Sequence, residues 1–478
     1  MPFAILACIM QADYMEHHKK VERLQLQISQ AFRGGEKVKV FHGATNSTRA
    51  QNNNGTKHLN ISSLNAVIAI NIEEQYALVE PNVAMDAFID ATLPYGMMAP
   101  IITEFPGITI GGAIMGGAGE SSSFKYGCVS ELCLEYEVIL GNGRKVIASP
   151  TKRQDLFNGI ASSYGTLGIV TLIKIKLMPS KPYVHLVYHP VTSFSGAAQL
   201  MRQHAKGENV DFIDGIMFSK THGVVMVGYL SLATTLPSAT FHKITDEWFY
   251  LHAQHVAKNS KYEESIPLKD YLFRYDRGAF WTGKFGFSVH HVPFNRFFRM
   301  LFARLFKTRN LLRFLHGSNL AQQFVVQDFC MPQKNAVVLM NFIDKHFAIY
   351  PLWVCPLKPN AREFLSPTYN KTDLIINIGV YGKAHVGYDE FVAMNRQLET
   401  KVQALHGRKV LYAYAYYLPD HFWSVYDKVH YDSLRKKYTA NTIFLNLFDK
   451  VCPPKVVTKP SLSKGWLKLI AGERNATP

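Results

Sequence analysis

Apolar residues Val21, Leu24, Leu26, Ile28 and Phe32 recur at helical spacing until Gly34-Gly35, which predicts an amphipathic helix over 21–32. Val38-Lys39-Val40-Phe41 then alternates as a strand and runs into a loop of small polar residues, His42 to Thr48. Short apolar runs predict strands over 64–72 and 76–79, followed by a helix over 82–93. Strand patterns return at 135–140, 145–148 and 169–178, and Gly141-Asn142-Gly143 is a hairpin signal between the first two. After Pro179 the texture loosens: strands are expected at 184–189, 211–219 and 224–230, then long helical stretches. A Pro-rich turn over 351–367 leads to a strand at 374–381, a helix at 388–406, a strand at 409–417 and a helix from Asp420. The pattern predicts a first domain over 1–182, a second over 183–405, a strand–helix segment over 406–452 that packs back on both, and a flexible tail rich in Pro, Lys and Ser over 453–478.

With 478 residues, 47% apolar and 13% aromatic, the chain can bury large cores. Lys plus Arg outnumber Asp plus Glu by 52 to 36, a surplus that favours an anionic partner: a phosphorylated cofactor, a membrane surface or nucleic acid. Neither aromatic-interleaved strands nor a zinc finger is present, so no nucleic-acid partner is expected. The six cysteines are scattered without the C-x-x-C spacing of a zinc site, so reduced thiols and no metal are expected. The apolar run Met1 to Met10 is too short to span a bilayer and is followed by Glu16-His17-His18-Lys19-Lys20. A cytoplasmic chain is expected, peripheral on a membrane at most, without signal peptide or transmembrane helix.

The densest chemical signal is the run Pro106-Gly107-Ile108-Thr109-Ile110-Gly111-Gly112, continuing through Gly116, Gly119, Glu120, Ser121 and Ser122 to Tyr126. Glycines let backbone approach a ligand and expose successive N–H groups, which is how a chain cradles a pyrophosphate without cationic side chains. A tightly turned loop is the plain alternative. The run lacks the G-x-G-x-x-G spacing between strand and helix of a Rossmann fingerprint. A second loop, Gly43-Ala44-Thr45-Asn46-Ser47, and a third, Gly165-Thr166-Leu167-Gly168-Ile169-Val170, offer further small residues. Three such loops suggest one extended dinucleotide lying across them.

Taken in order, G-A-T-N-S, then P-G-I-T-I-G-G, E-S-S-S-F-K-Y-G and G-T-L-G resemble the flavin domain of the vanillyl-alcohol-oxidase class of FAD proteins. The E-S-S-S-x-K-Y-G run resembles the delta-24 sterol reductase branch, as do Val325-Val326-Gln327-Asp328, the segment from Tyr350 to Pro356, Ile378-Gly379-Val380-Tyr381-Gly382, His406-Gly407, Leu411-Tyr412-Ala413 and Phe422-Trp423. The resemblance implies an α+β fold, with a two-subdomain PCMH-type FAD-binding domain followed by an α+β substrate (cap) domain. It places the pyrophosphate on the first two loops and the ribityl or isoalloxazine region on the third. Relatives with covalent flavin carry His about where Asn46 stands, and His42 lies on the strand side of Gly43, so non-covalent FAD is expected. The branch carries an acidic residue where Asn377 stands.

By the same resemblance the reaction is reduction of an isolated C=C bond in a sterol or isoprenoid lipid, with hydride from NADPH relayed through the flavin. An unactivated alkene accepts hydride only as a proton arrives at the other carbon. Tyr381, Tyr412, Asp328 and Glu120 are therefore the candidate donors. Each has a structural alternative: core aromatics for the tyrosines, a cap or ion pair for Asp328, a loop brace for Glu120. No motif for the nicotinamide is recognisable. Two other functions stay open, an FAD-dependent oxidase or dehydrogenase of an alcohol or sugar, and a non-catalytic FAD protein that binds membranes. The membrane surface is expected at 296–307, where Arg296, Arg299, Arg304 and Lys307 fall opposite Phe297, Phe298, Leu301, Phe302, Leu305 and Phe306 on a helical wheel.

Overall fold

The computed structural model describes residues 3–43, 47, 49, 57–233, 236–256, 258, 260–384, 386–453 and 461–471. Ala44, Thr45 and Asn46 lie outside them. The fold is α+β. The helix expected at 21–32 spans Phe3–Arg33 and buries Val21, Leu24, Ile28 and Ala31. His17 pins it down: Nδ1 lies 2.9 Å from Glu80 Oε1 and Nε2 3.3 Å from Glu137 Oε1, all three buried. Although burial opposes it, His17, Lys145 and Thr171 together pull Glu137 down to about 2.

The N-terminal part is built on a five-stranded antiparallel sheet in the order Val67–Asn71, Tyr76–Val79, Ile169–Lys176, Cys133–Ile139, Lys145–Ala148. A parallel pair, Val38–Phe41 with Lys57–Asn60, stands beside it. Tyr183 opens the second sheet, eight antiparallel strands in the order Tyr262–Pro267, Tyr183–Val191, His222–Ser231, Phe212–Ser219, Leu352–Leu357, Ile375–Lys383, Phe324–Pro332, Arg408–Lys409. Helices Phe194–His204 and Gln333–His346 cover one face and the core it shares with the first sheet covers the other, so its central strands are buried on both faces and read as continuous apolar runs. The chain after the second sheet returns to the first. Arg435 donates to the carbonyls of Thr166, Ala440, Phe444 and Leu445, and Val38 bridges Phe444.

Three expectations change. The strand expected at 409–417 is laddered only over Arg408–Lys409. Beyond it burial still alternates, but the N–H groups of Ala415 and Tyr416 go to Val451 O and the Glu399 carboxylate instead of to a neighbouring strand. The helix expected at 296–307 ends as Arg296–Leu301, because Phe298, Phe302 and Phe306 turn inward to the core, Phe306 stacking on Phe287 at 4.4 Å. Only Phe297 and Leu301 of its apolar side remain exposed. The tail expected to be flexible contains a helix, Leu462–Ala471, lying on helix Thr308–Ser318. Among the described residues no helix is long and apolar enough to cross a membrane.

Candidate active site

The Gly-rich run folds as a short helix, Ile110–Gly116, capped by Thr109, whose Oγ1 accepts from Gly112 N at 3.1 Å. Its first N–H groups are spent inside the protein, Ile110 on Val83 O and Gly111 on Pro81 O. The glycines divide by what a side chain would meet. A Cβ at Gly111 would lie 2.7 Å from Pro81, one at Gly168 2.6 Å from Val138, and one at Gly107 2.9 Å from Arg309, so these glycines serve close packing. Gly119 and Gly112 meet near neighbours too, Leu357 with Ser123 and the Thr109 hydroxyl. Among the described residues nothing lies within 4 Å of a Cβ at Gly116, and one at Gly165, where φ is +72°, meets Lys450 Nζ at 3.6 Å and Met115 Sδ at 3.8 Å. Ile169 and Val170 are buried in the sheet, Thr166 binds Tyr431, and Pro106 O accepts from Arg309. Ser122 precedes helix Ser123–Tyr126, and Tyr126 OH reaches Met178 Sδ.

The three loops meet. Tyr164, next to Gly165, donates its N–H to Met115 O and its hydroxyl to Gly116 O at 2.9 Å. Arg49, just past the first loop, lies 5.0 Å over the Tyr164 ring and donates to Leu411 O, while Ser47 Oγ donates to Tyr412 O at 2.6 Å. Gly43, with φ +81°, turns the chain out of its strand.

A row of basic side chains lines this meeting point. His42, Arg49 and Lys450 are surrounded by protein atoms yet reached by solvent, as the walls of a cleft are. Burial, reinforced by the charges of Arg49 and Lys39, brings the Lys450 ammonium down to about 7. Burial with Lys450 and Arg49 brings His42 to about 4, and burial with Arg49 lowers Lys39. No carboxylate pairs with Lys450 among the described residues. Like charges so placed repel one another until an anion enters. A doubly negative group such as a diphosphate would relieve that repulsion if it lay here, beside Gly116 and Gly165. Sequence reading missed Lys450 and Arg49 because nothing local marks them. We expect Lys450→Gln to weaken FAD binding by about tenfold or more, read from flavin fluorescence on titrating apoprotein. Unchanged affinity would remove Lys450 from the cradle.

Glu120 turns away into the domain junction. Arg274 Nη2 lies 3.0 Å from Glu120 Oε1 and 2.9 Å from Asp214 Oδ2, and all three are buried. Tyr275 OH and Trp353 Nε1 also donate to Asp214 Oδ2, and Ser121 Oγ lies 3.2 Å from Tyr271 OH. Burial raises Glu120 despite Arg274. This network joins the Gly-rich loop to the second sheet.

Asp328, Tyr381 and Tyr412 come together. Tyr381 OH donates to the Asp328 carboxylate at 2.9 Å, Tyr412 OH to Oδ2 at 2.7 Å and Asn377 Nδ2 to Oδ1 at 2.7 Å. Register explains the cluster: Asp328 stands opposite Gly379, so Asn377 and Tyr381 are its diagonal neighbours on one face. Gly379 leaves the room, since a Cβ there would fall 2.5 Å from Tyr381 OH and 3.0 Å from Asp328 Oδ1. Burial raises Asp328, and burial with its charge puts both phenols well above their ordinary range. Beside them Phe280 packs on Tyr381, Trp353, Tyr275 and Phe105, an aromatic wall buried except at Phe105. Glu104, part-exposed on the same wall, is raised to about 8 by burial and by the charges of Glu120 and Asp328. It too escaped sequence reading, for its acidity depends on neighbours far along the chain.

A family model described as an FAD binding domain matches residues 17–149, the stretch that carries the first two loops and most of the first sheet. The chain is 30% identical over 451 residues to Delta(24)-sterol reductase of Homo sapiens, covering 91% of this chain and 86% of that protein. It is 28% identical to the Delta(24)-sterol reductase homolog dhcr-24 of Caenorhabditis elegans, covering 91% and 87%, and 28% identical to Delta(24)-sterol reductase of Arabidopsis thaliana, covering 80% and 74%. The likeness thus runs through both sheets and past the Asp328 cluster, and the chain belongs to the Delta(24)-sterol reductase family of FAD-dependent oxidoreductases.

Proposed function

We propose that this protein reduces an isolated C=C bond of a sterol or isoprenoid lipid, using non-covalent FAD and NADPH. The observation that carries the reading is one carboxylate, Asp328, accepting from two phenols beside an aromatic wall. FAD, held by the residues around Gly116, Gly165, Arg49 and Lys450, supplies hydride when bound. The protein's own task is the proton. Tyr381 and Tyr412 do not ionise beside Asp328, so a phenol gives its proton to the alkene carbon only as Asp328 returns one to the same oxygen. Asp328, raised by burial, passes that proton on, and Glu104, whose value of about 8 keeps it neutral at pH 7, supplies it. One NADPH and one proton are consumed for each double bond saturated. Glu120, tied to Arg274 and Asp214, is left to bracing.

The test is anaerobic: NADPH bleaches the flavin and a delta-24 sterol restores its colour. Bleaching by an alcohol or sugar, with no response to NADPH, would overturn the reading, and a flavin inert to every donor would leave only a binding role. The raised Glu104 gives a pH prediction. Its acid form falls away as pH rises through about 8, so kcat/KM for the sterol should decline above that value. In Glu104→Gln, which has no proton to lose, the rate at pH 7 should be lower and that decline absent. Because the substrate is a lipid, peripheral contact with a membrane is also proposed, with Phe297 and Leu301 as the exposed contacts of the 296–307 stretch.

A further inference from the structure

Helix Leu462–Ala471 crosses helix Thr308–Ser318 with its backbone against its neighbour's. A Cβ at Gly465 would lie 2.8 Å from Phe314, and one at Gly317 2.8 Å from Lys464 O. Ser461 N donates to Ser318 O, and the Trp466 ring lies edge-on to Phe314 at 5.4 Å. The helix is therefore fixed on the body of the protein by its Gly465 side. Counted from Gly465 at helical spacing, Ile470 and Leu467 fall roughly 140–200° around, facing away, and Trp466 stands at the edge of that face with one side on Phe314 and His290. Trp466, Ile470 and Leu467 are 36%, 57% and 66% exposed. Soluble surfaces rarely present an aliphatic and aromatic row of this kind as exposed as it is here among the described residues.

Charge says what covers it. Neither 462–471 nor 296–318 contains a single Asp or Glu, while Lys464, Lys468, Arg296, Arg304 and Lys307 are exposed. Lys464 and Lys468 flank the apolar row on one side, where long stems can lie along lipid and raise their ammonium groups to phosphates. An amphipathic helix with Trp at its apolar edge and only cations on its flank suits the headgroup boundary of an anionic bilayer. We infer that the 462–471 helix, held across the 308–318 helix, docks the protein on anionic membrane through Trp466, Leu467 and Ile470. This extends the membrane contact proposed for Phe297 and Leu301 to a second element, and it rests on no catalytic assignment.

The experiment is flotation of the full-length, FAD-loaded protein with vesicles of phosphatidylcholine alone or mixed with phosphatidylserine. The protein should float with the mixed vesicles, and less so in high salt. The triple variant W466S/L467S/I470S should lose at least about tenfold in partition while keeping its flavin spectrum and its activity on detergent-dispersed sterol. The variant F297S/L301S separates the two contacts: a loss confined to it, with the triple variant floating like the parent, would overturn the inference. So would a parent that floats with neither vesicle, or a triple variant that only turns a dimer into a monomer on a sizing column.

Discussion

Asp328→Asn should lower sterol reduction by about 10²- to 10⁴-fold while NADPH continues to bleach the flavin at the parent rate. The substitution keeps the shape and one oxygen that can accept from Tyr381 and Tyr412, while the new amide nitrogen takes the place of the oxygen that accepts from Asn377, whose amide must turn over to meet it. What it removes is the carboxylate that passes a proton to a phenol, which the proposed reaction needs only in its second half. Reduced flavin should then accumulate in the presence of sterol. Tyr381→Phe and Tyr412→Phe read out which phenol faces the alkene, since only that one should match the loss in Asp328→Asn. Asn377→Asp sharpens the test: it sets a second carboxylate where an amide now donates to Asp328 at 2.7 Å. Two carboxylates that close cannot both ionise, so Asp328 should rise further and any loss of rate at alkaline pH should move upward. Parent-like turnover in Asp328→Asn would take the proton donor elsewhere, with Glu104 the next group to remove.

What the sequence made legible follows from how local each signal is. The strand at Val38–Phe41, the hairpin around Asn142 and the alternation in the first sheet are short-range patterns, and they fold as they read. The glycines were visible, but their purposes were not. Pro81 behind Gly111 and Val138 behind Gly168 are matters of packing, whereas Gly116 and Gly165 face the cleft, and one-letter sequence shows the same residue in all four. The aromatic strip 296–307 has a helical period, yet the helix stops at Leu301 because Phe306 finds Phe287, a contact no periodicity encodes. Lys450 takes its chemistry from burial and from Arg49 and Lys39, some four hundred residues away, and Glu104 from burial, from Glu120 and from the distant Asp328. Asp328, Tyr381 and Tyr412 were reachable through family likeness, and the register opposite Gly379 supplies the physical reason they meet.

The same distance in sequence governs the expected cost of losing Arg274. Its guanidinium lies within 4.1 Å of the Tyr271 ring centre and 4.7 Å of that of Tyr275, and one nitrogen serves both Glu120 and Asp214. Burial opposes its charge, but Asp214 and Glu120 hold it well above its ordinary range. Arg274→Met fills most of the volume and leaves two carboxylates inside the junction without a cation, which should cost about 3–5 kcal/mol. Against a typical total of about 5–15 kcal/mol this threatens the join between the flavin loop and the second sheet, so the urea midpoint should fall steeply and flavin should be released in the same transition. The sign with pH follows from Glu120. Its folded-state value is already raised by burial, and losing Arg274 raises it further, so the variant's stability is greatest where Glu120 is protonated and is lost as pH climbs through that raised value. The triple change R274M/E120Q/D214N removes the stranded charges and should recover most of the deficit. If Arg274→Met alone unfolds within about 1 kcal/mol of the parent, the junction is held by its apolar contacts, and Glu120 would be free to rejoin the candidates for the proton.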